Sequence, residues 1–453
     1  MGRRHASVWK LTGLGTLSAV LYAWNFDLGS LLRRAGLVEE AALGLAIYPV
    51  LTGLLFVPYG LAVREVLRTR SAPWRLGVIL GFAILFRVSL LSAPLVLSSD
   101  INRYVWDGRV QAAGINPYLH PPAAEALASL RDDRIFPSIN RPDAPTIYPP
   151  GSQMLFALVH AVVPNSVAGM KSVMVLFDLA AIGLLLLLLH RSGLGAERVL
   201  VYAWSPLVIF EIAGSGHAEA WMLPFALLAL LGRMEGKPLL AGAALGAATL
   251  IKLYPAALFP ALYRRGDRLF PLAFGATIVA GYLPYVHGAG GAVLGFLPDY
   301  VGPGEDFNVG LRGFLTFALG PLGDAARPVA ITLVVVLLLV VAIVLGREGP
   351  GDVVWRGYLM VSAYFVLLPT SLHAWYLVWI VPLLCFHPSW GWLYLSGAVS
   401  LSYLEYVHAG PVLWIWPAQF LPLYALLALE AVRHHRQKAW SGGGAVPSAE
   451  PLR

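Results

Sequence analysis

The sequence predicts an all-α, polytopic membrane protein. Hydrophobic residues make up 58% of the 453 positions and charged residues only 13%, against roughly 25% charged in a soluble protein. The mean hydropathy is +0.69. Many continuous apolar runs approach the roughly 20 residues that a helix needs to cross a bilayer. Because those runs are continuous rather than alternating, a membrane β-barrel is excluded.

In chain order the runs fall near 8–26, 43–63, 76–97, 171–190, 199–213, 218–232, 238–251, 254–263, 269–287, 327–346, 354–369, 373–387, 391–406 and 414–432. The first follows "MGRRHASVWK" and carries no cleavage site, so it reads as a retained helix rather than a removed signal peptide. Short basic loops mark the cytoplasmic side. The clusters are Arg3/Arg4/Lys10, Arg64/Arg68/Arg70/Arg75, Arg191/Arg198, Arg233/Lys237, Arg264/Arg265/Arg268, Arg347/Arg356 and Arg433/Arg436/Lys438. Counting "YPPGSQMLFALVHAVV" (148–163) as a span would invert every later basic loop, so it reads as an interfacial or re-entrant helix. The segment 238–263 is basic at both ends and long enough for one straight span only. A bend at Lys252-Leu253-Tyr254-Pro255 restores parity, because Pro255 removes a helical donor and disfavours helix at the residue before it. The result is about fourteen spans with both termini inside. Large loops at 98–147 and 288–326 then lie outside, the first carrying interfacial helices. Residues 1–440 read as a single integral domain and 441–453 as a disordered tail.

The net charge of +7 is accounted for by cytoplasmic loops and anionic headgroups, so the bilayer is the expected partner and nucleic acid is not. One cysteine, Cys385, excludes an intrachain disulfide. No Asn-x-Ser/Thr acceptor, Walker A sequence, zinc signature, nucleophile elbow or internal repeat occurs. With no cytosolic nucleotide-binding domain, an ATP-driven pump is disfavoured.

The charged residues outside the runs concentrate in "SSDINRYVWDGR" (98–109). Asp100 stands at a membrane exit, where low dielectric can fit a carboxylate for general-base work. On a helix, Asp100, Arg103 and Asp107 share one face at i, i+3 and i+7, so Arg103 could orient the carboxylate, or simply clamp an aspartate. Arg109 completes the set. The charges of 125–143 read as a solvated surface. Arg87 lies roughly 15 Å into its span by helical rise; it either meets an anionic headgroup or is neutralised by a carboxylate such as Asp178. Lys252 sits at the predicted break beside Tyr254, where an ammonium and freed backbone groups would meet a phosphate; snorkelling to an interface is the plain alternative.

"EIAGSGHAEAWMLPF" (211–225) brings Glu211, His217 and Glu219 to an outer turn that Gly214 and Gly216 permit. One histidine with two carboxylates is weak support for a metal, and no metal is expected. In "PTSLHAWYLVWIVPLL" (369–384), His373, Trp375 and Tyr376 fit an interfacial aromatic belt or a cradle for a sugar face. "INPYLHPP" and "IYPP", the latter with Tyr148, are rigid corners able to shape an outer pocket.

Five blocks, "SSDINRYVWDGRVQAAGINPY", "IYPPGSQMLFAL", "GSGHAEAWMLPF", "IKLYPAALFPAL" and "HAWYLVWIVPLL", occur in an order that resembles GT-C-fold glycosyltransferases using a polyprenyl-phosphate sugar. Bacterial family 87-type α-mannosyltransferases are most similar. The first GPI-anchor mannosyltransferase of eukaryotes is similar in its acidic first loop, its Lys-(Ile/Leu)-Tyr-Pro block and its Trp-Tyr-Leu block. The resemblance covers about residues 75–385 and leaves the first two and last two spans outside.

It implies a GT-C-like bundle in the plasma membrane, with the active site on the extracytoplasmic face. The implied reaction transfers a hexose, mannose above all, from a polyprenyl-phosphate donor to a glycan or lipid acceptor, with no cofactor. The catalytic aspartate of the first outer loop maps onto Asp100, acting as base on the acceptor hydroxyl with inversion at the sugar. Substrate contacts would fall on Arg103, Asp107, Arg109, Tyr148, His217, Glu219, Lys252, Tyr254, His373, Trp375 and Tyr376. Many relatives pair two acidic residues where this chain has Ser99-Asp100, which speaks against a two-carboxylate metal scheme. Positive groups such as Lys252, Arg103 or Arg87 would stabilise the departing phosphate. The rival readings are a transporter or flippase of a lipid-linked sugar, which calls for broken helices in matching halves, and a membrane assembly partner without activity.

Overall fold

The computed structural model describes residues 9–24, 40–69, 72–347, 351–367, 371–408 and 412–442. Among them every regular element is helical. The longer helices are α1 (9–24), α2 (Glu40–Arg68), α3 (Pro73–Leu91), α4 (Asp100–Ala112), α5 (Pro150–Val162), α6 (Val167–Arg191) and α7 (Glu219–Met234). They continue with α8 (Pro238–Ile251), α9 (Leu269–Ala289), α10 (Gly310–Ala318), α11 (Ala326–Arg347), α12 (Val353–Leu367), α13 (Trp390–Ala398) and α14 (Ile415–Gly442). Six helical stretches among the described residues are long and apolar enough to cross a membrane: Gly44–Arg68, Trp74–Leu91, Val167–Arg191, Leu269–Tyr300, Gly320–Arg347 and Ile415–Arg433. Pro238–Ile251, Val353–Leu367 and Ala374–Leu384 are shorter apolar helices.

Local chemistry sets several boundaries. α3, α5 and α8 each begin at a proline, whose fixed φ and missing donor suit a first turn. Ser166 caps α6 by accepting from the Gly169 amide at 2.9 Å. α5 has 13 residues, too few for a straight crossing. α8 ends where Lys252 turns extended, at φ −139° and ψ 141°, and a short 3-10 turn resumes at Tyr254.

The expected span at 199–213 is instead a string of short pieces, Ala196–Val199, Leu200–Ala203, Pro206–Val208 and a π-helical turn at Ile209–Gly214. Pro206 interrupts the ladder, and the segment is buried throughout, where protein groups rather than lipid surround the irregular backbone. The runs at 373–387 and 391–406 are likewise mixed α and 3-10.

The core centres on α7, against which α6 and α8 pack, and α8 packs in turn on α9. Gly242 and Gly246, four residues apart, let α8 approach the Phe270 and Phe274 backbone of α9, the small-residue contact that membrane helices use. Val335, Val336, Leu339 and Val340 of α11 are exposed, as a lipid-facing helix requires.

Arg87 is settled by the bundle. It is fully buried and paired with Asp178, and it also donates to the Ala83 and Ala203 carbonyls at 3.0 and 2.8 Å. Tyr202 donates to the same carboxylate. Arg87 is therefore neutralised inside the protein rather than held out to a headgroup. Arg3, Arg4 and Arg70 of the basic clusters lie outside the described residues, as does 443–453 of the expected tail; Ser441 and Gly442 still belong to α14.

Candidate active site

A cavity of about 770 Å³ opens between the start of α4, the 140–149 segment, the break after α8, residues 296–307 and the segment leading to Trp375. Asp100, Arg103, Tyr148, Lys252, Tyr254, His373, Trp375 and Tyr376, all singled out in the sequence, line it. Asp107, Arg109, His217 and Glu219 do not.

Asp100 is the first residue of α4. Its Oδ1 accepts from Asn140 Nδ2 at 2.7 Å and its Oδ2 from the Tyr148 hydroxyl at 3.3 Å. Gly108 holds α4 close to α5, since a Cβ there would sit 2.6 Å from the Phe156 carbonyl oxygen. The predicted common face does not serve Asp100. Arg103 instead reaches along the helix to Asp107 at 2.7 Å and donates to the Ala144 carbonyl at 3.0 Å. The second Asp107 oxygen accepts from Thr146 at 2.7 Å and Gln153 at 2.9 Å. Asp107 is thus a buried tie between α4, the 144–149 corner and α5. Arg109 points away, to Asn165, the Leu130 carbonyl and Asp132. Burial pushes the Asp132 carboxyl up, but Arg109 and three backbone amides outweigh it and bring the value down to about 2.

Lys252 comes from the break after α8. The Ile251 carbonyl freed there accepts from Ser152 at 2.7 Å, so the open helix end is satisfied. The Lys252 ammonium lies 3.1 Å from Glu219 Oε1 and over the rings of Tyr148 and Tyr376, at 5.2 and 5.8 Å. Glu219 is fully buried and also accepts from Tyr254 at 3.0 Å. It stands behind the lysine, not in the cavity. Among the described residues, no three His, Cys, Asp or Glu side chains converge as a metal site requires.

The aromatic wall is more ordered than the sequence suggested. His217, Trp375, His373, Phe307 and Tyr406 stack in succession, with centroids 4.2, 4.5, 4.8 and 5.0 Å apart. Tyr376 shares a 2.8 Å hydroxyl contact with Tyr300.

Several lining residues had not been singled out: Asn140, Arg141, Tyr300, Glu305, Phe307 and Tyr406. The 125–143 charges had read as a solvated surface, yet Arg141 forms a two-pronged pair with Glu305 at 2.6 and 2.7 Å, joining the 98–147 and 288–326 segments at the cavity. Donating to that carboxylate raises the Arg141 value above its ordinary one. The available signal was the rigid Pro142–Pro149 stretch, which folds 140–148 back onto Asp100.

A family model described as alpha-(1->6)-mannopyranosyltransferase, N-terminal domain, matches residues 13–263. No curated protein and no solved structure gives a match. The matched region holds Asp100, Tyr148, His217, Glu219 and Lys252, and it takes in the first two helices, which the five-block resemblance had left outside. With more than half of its residues covered, the chain belongs to the alpha-(1->6)-mannopyranosyltransferase family, and it is a glycosyltransferase.

Proposed function

We propose that the protein transfers mannose from a polyprenyl-phosphate donor to the primary hydroxyl of a glycan or glycolipid mannose, with Asp100 as general base. The observation that carries this reading is that Asp100 and Lys252 line one and the same cavity. Asp100 takes the proton of the acceptor hydroxyl as that oxygen attacks the anomeric carbon. The bond from the anomeric carbon to the phosphate oxygen breaks, and polyprenyl phosphate leaves with the electron pair. Lys252 stabilises the charge that develops on the phosphate. The family's α product and one inversion together call for a β-linked donor. Tyr148, Tyr254, Trp375 and Tyr376 present flat faces and hydroxyls suited to a sugar ring. The donor's own phosphate activates the sugar, so neither nucleotide nor cofactor enters the scheme.

The apolar runs and basic loops support a GT-C-like bundle of about fourteen crossings in the plasma membrane, forming one domain with the cavity on the extracytoplasmic side. Purified protein in lipid nanodiscs, given polyprenyl-phosphate-mannose and a mannosyl acceptor, should yield an extended glycan by mass spectrometry. Asp100→Asn should lower the rate at least about 100-fold while the protein keeps its melting profile. Full activity in that variant would overturn the assignment, and transfer from a nucleotide sugar alone would overturn the donor.

A further inference from the structure

Behind Asp100 lies a group that the scheme above leaves idle. His217 is fully buried, and so is Glu211 beyond it. His217 Nδ1 lies 4.0 Å from Asp100 Oδ2, and Nε2 lies 3.3 Å from Glu211 Oε2, off the hydrogen-bond axis. Neither imidazole nitrogen has a hydrogen-bond partner. A buried, unsatisfied imidazole carries a large desolvation cost, and this one has a carboxylate on each side.

The surroundings hold the ring in place. Glu211 sits on the π-helical turn Ile209–Gly214, a distortion frequent at functional sites. Its carboxylate accepts from Tyr403 at 3.0 and 3.1 Å and from Tyr48 at 3.4 Å. Gly216 has φ +76°, and a Cβ there would lie 2.5 Å from Ile101 Cδ1, so glycine lets this turn press His217 against the start of α4. Trp375 covers one face of the imidazole, with centroids 4.2 Å apart and planes 15° from parallel. The nearby charges are few. Lys171 passes Gly216 but donates to the Leu90 and Ala93 carbonyls at 2.9 and 3.1 Å, and His373 lies on the far side of Trp375.

The geometry points to Asp100, His217 and Glu211 acting as one proton line, with His217 as the positioning and proton-holding residue behind the base. This rests on the reading of Asp100 as that base. Glu211 Oε2, 3.3 Å from Nε2, is the acceptor toward which Nε2–H turns as the line forms, and that tautomer leaves the Nδ1 lone pair for Asp100. When Asp100 takes the acceptor's proton, its Oδ2–H passes that proton to Nδ1. The imidazolium then stands between two carboxylates, and Asp100 is again an anion. After polyprenyl phosphate departs, the proton returns through Asp100 to the solvent-filled cavity. The 4.0 Å gap closes by about 1 Å once substrate fills the cavity, as catalytic hydrogen bonds tighten on binding.

The test is single-turnover transfer by the full-length protein in nanodiscs with polyprenyl-phosphate-mannose and a mannosyl acceptor, in mixtures of H2O and D2O. His217→Gln and Glu211→Gln are each expected to lower the rate, about 100-fold and about tenfold, with the donor KM unchanged. The native enzyme should show a curved proton inventory, two protons moving together, and His217→Gln a straight one. A native rate in both variants, or inventories of the same shape, overturns the proposal. Should His217→Gln fail to fold, Glu211→Gln decides: a straightened inventory supports the line and an unchanged curve overturns it. Asp100→Asn in the same assay separates the two ideas. Activity there removes the base and the line with it, whereas a dead Asp100→Asn beside a fully active His217→Gln removes the line alone.

Discussion

Lys252 pairs with Glu219 and, in the proposed scheme, also meets the leaving phosphate, and two substitutions together separate these roles. Lys252→Met removes the charge facing the cavity and strips Glu219 of its ion-pair partner at 3.1 Å. Glu219 is fully buried, its Oε2 has no partner, and only the Tyr254 hydroxyl would remain on Oε1. Breaking a buried pair by removing one member costs about 3–5 kcal/mol. The surviving Tyr254 bond and the 12% exposure of the lysine side chain place this case near the low end, about 3 kcal/mol. Lys252→Met/Glu219→Gln deletes both charges and should recover most of that loss. Transfer should behave otherwise, because losing the group that meets the leaving phosphate lowers the rate about 100-fold, roughly 2.7 kcal/mol, in both the single and the double variant. The assay pairs thermal unfolding in nanodiscs with mannosyl transfer from the lipid donor. If the double variant regains activity along with stability, Lys252 is only the counter-ion of Glu219 and the phosphate role fails.

Two further outcomes follow from charges held elsewhere. Asp178→Asn leaves the Arg87 guanidinium buried with neutral partners and no counter-charge and should destabilise the bundle by about 3–5 kcal/mol, while Arg87→Met/Asp178→Asn should recover much of it; an unfolding midpoint unchanged in the single variant would contradict the neutralisation. In the 288–326 segment, burial pushes the Asp306 carboxyl up, but Arg327 and Arg312 outweigh it and bring it from 3.8 down to about 2. The unfolded chain therefore binds this proton more readily, so the pair stabilises fully above about pH 4 and its contribution fades as pH falls toward 2. With solvent screening that contribution is about 1–2 kcal/mol, so the native-minus-Asp306→Asn difference in unfolding free energy should shrink toward zero as pH falls over the same interval, and a difference independent of pH would contradict the pairing.

The sequence was most legible where physics is local. Continuous apolar runs marked the long helices, Pro255 marked the break that delivers Lys252, and the acidic exit from an apolar run marked Asp100. The run at 199–213 was misleading, because hydropathy reports burial and not whether the backbone within it is regular. The Arg103 orientation failed for a tertiary reason: Thr146 and Gln153 complete a polar nest around Asp107, and that nest captures the guanidinium. Arg141 read as part of a solvated surface, and Asn140 and Glu305 drew no reading, since a lone polar residue in a loop carries no local sign of what folds against it. Phe307 and Tyr406 are farther still from Asp100 along the chain, and only the packed bundle brings them into its cavity.

The aromatic stack sets an order of events during synthesis. Its rings come from positions 217, 307, 373, 375 and 406, so its last member emerges almost two hundred residues after its first. Contacts that distant form late, after the local helices. The segment carrying Asp100 and Lys252 leaves the ribosome early, yet the wall that encloses the cavity waits for Tyr406. The cavity is thus complete only once position 406 has emerged, and until then a nascent chain holds Asp100 and Lys252 without the stacked wall that encloses them.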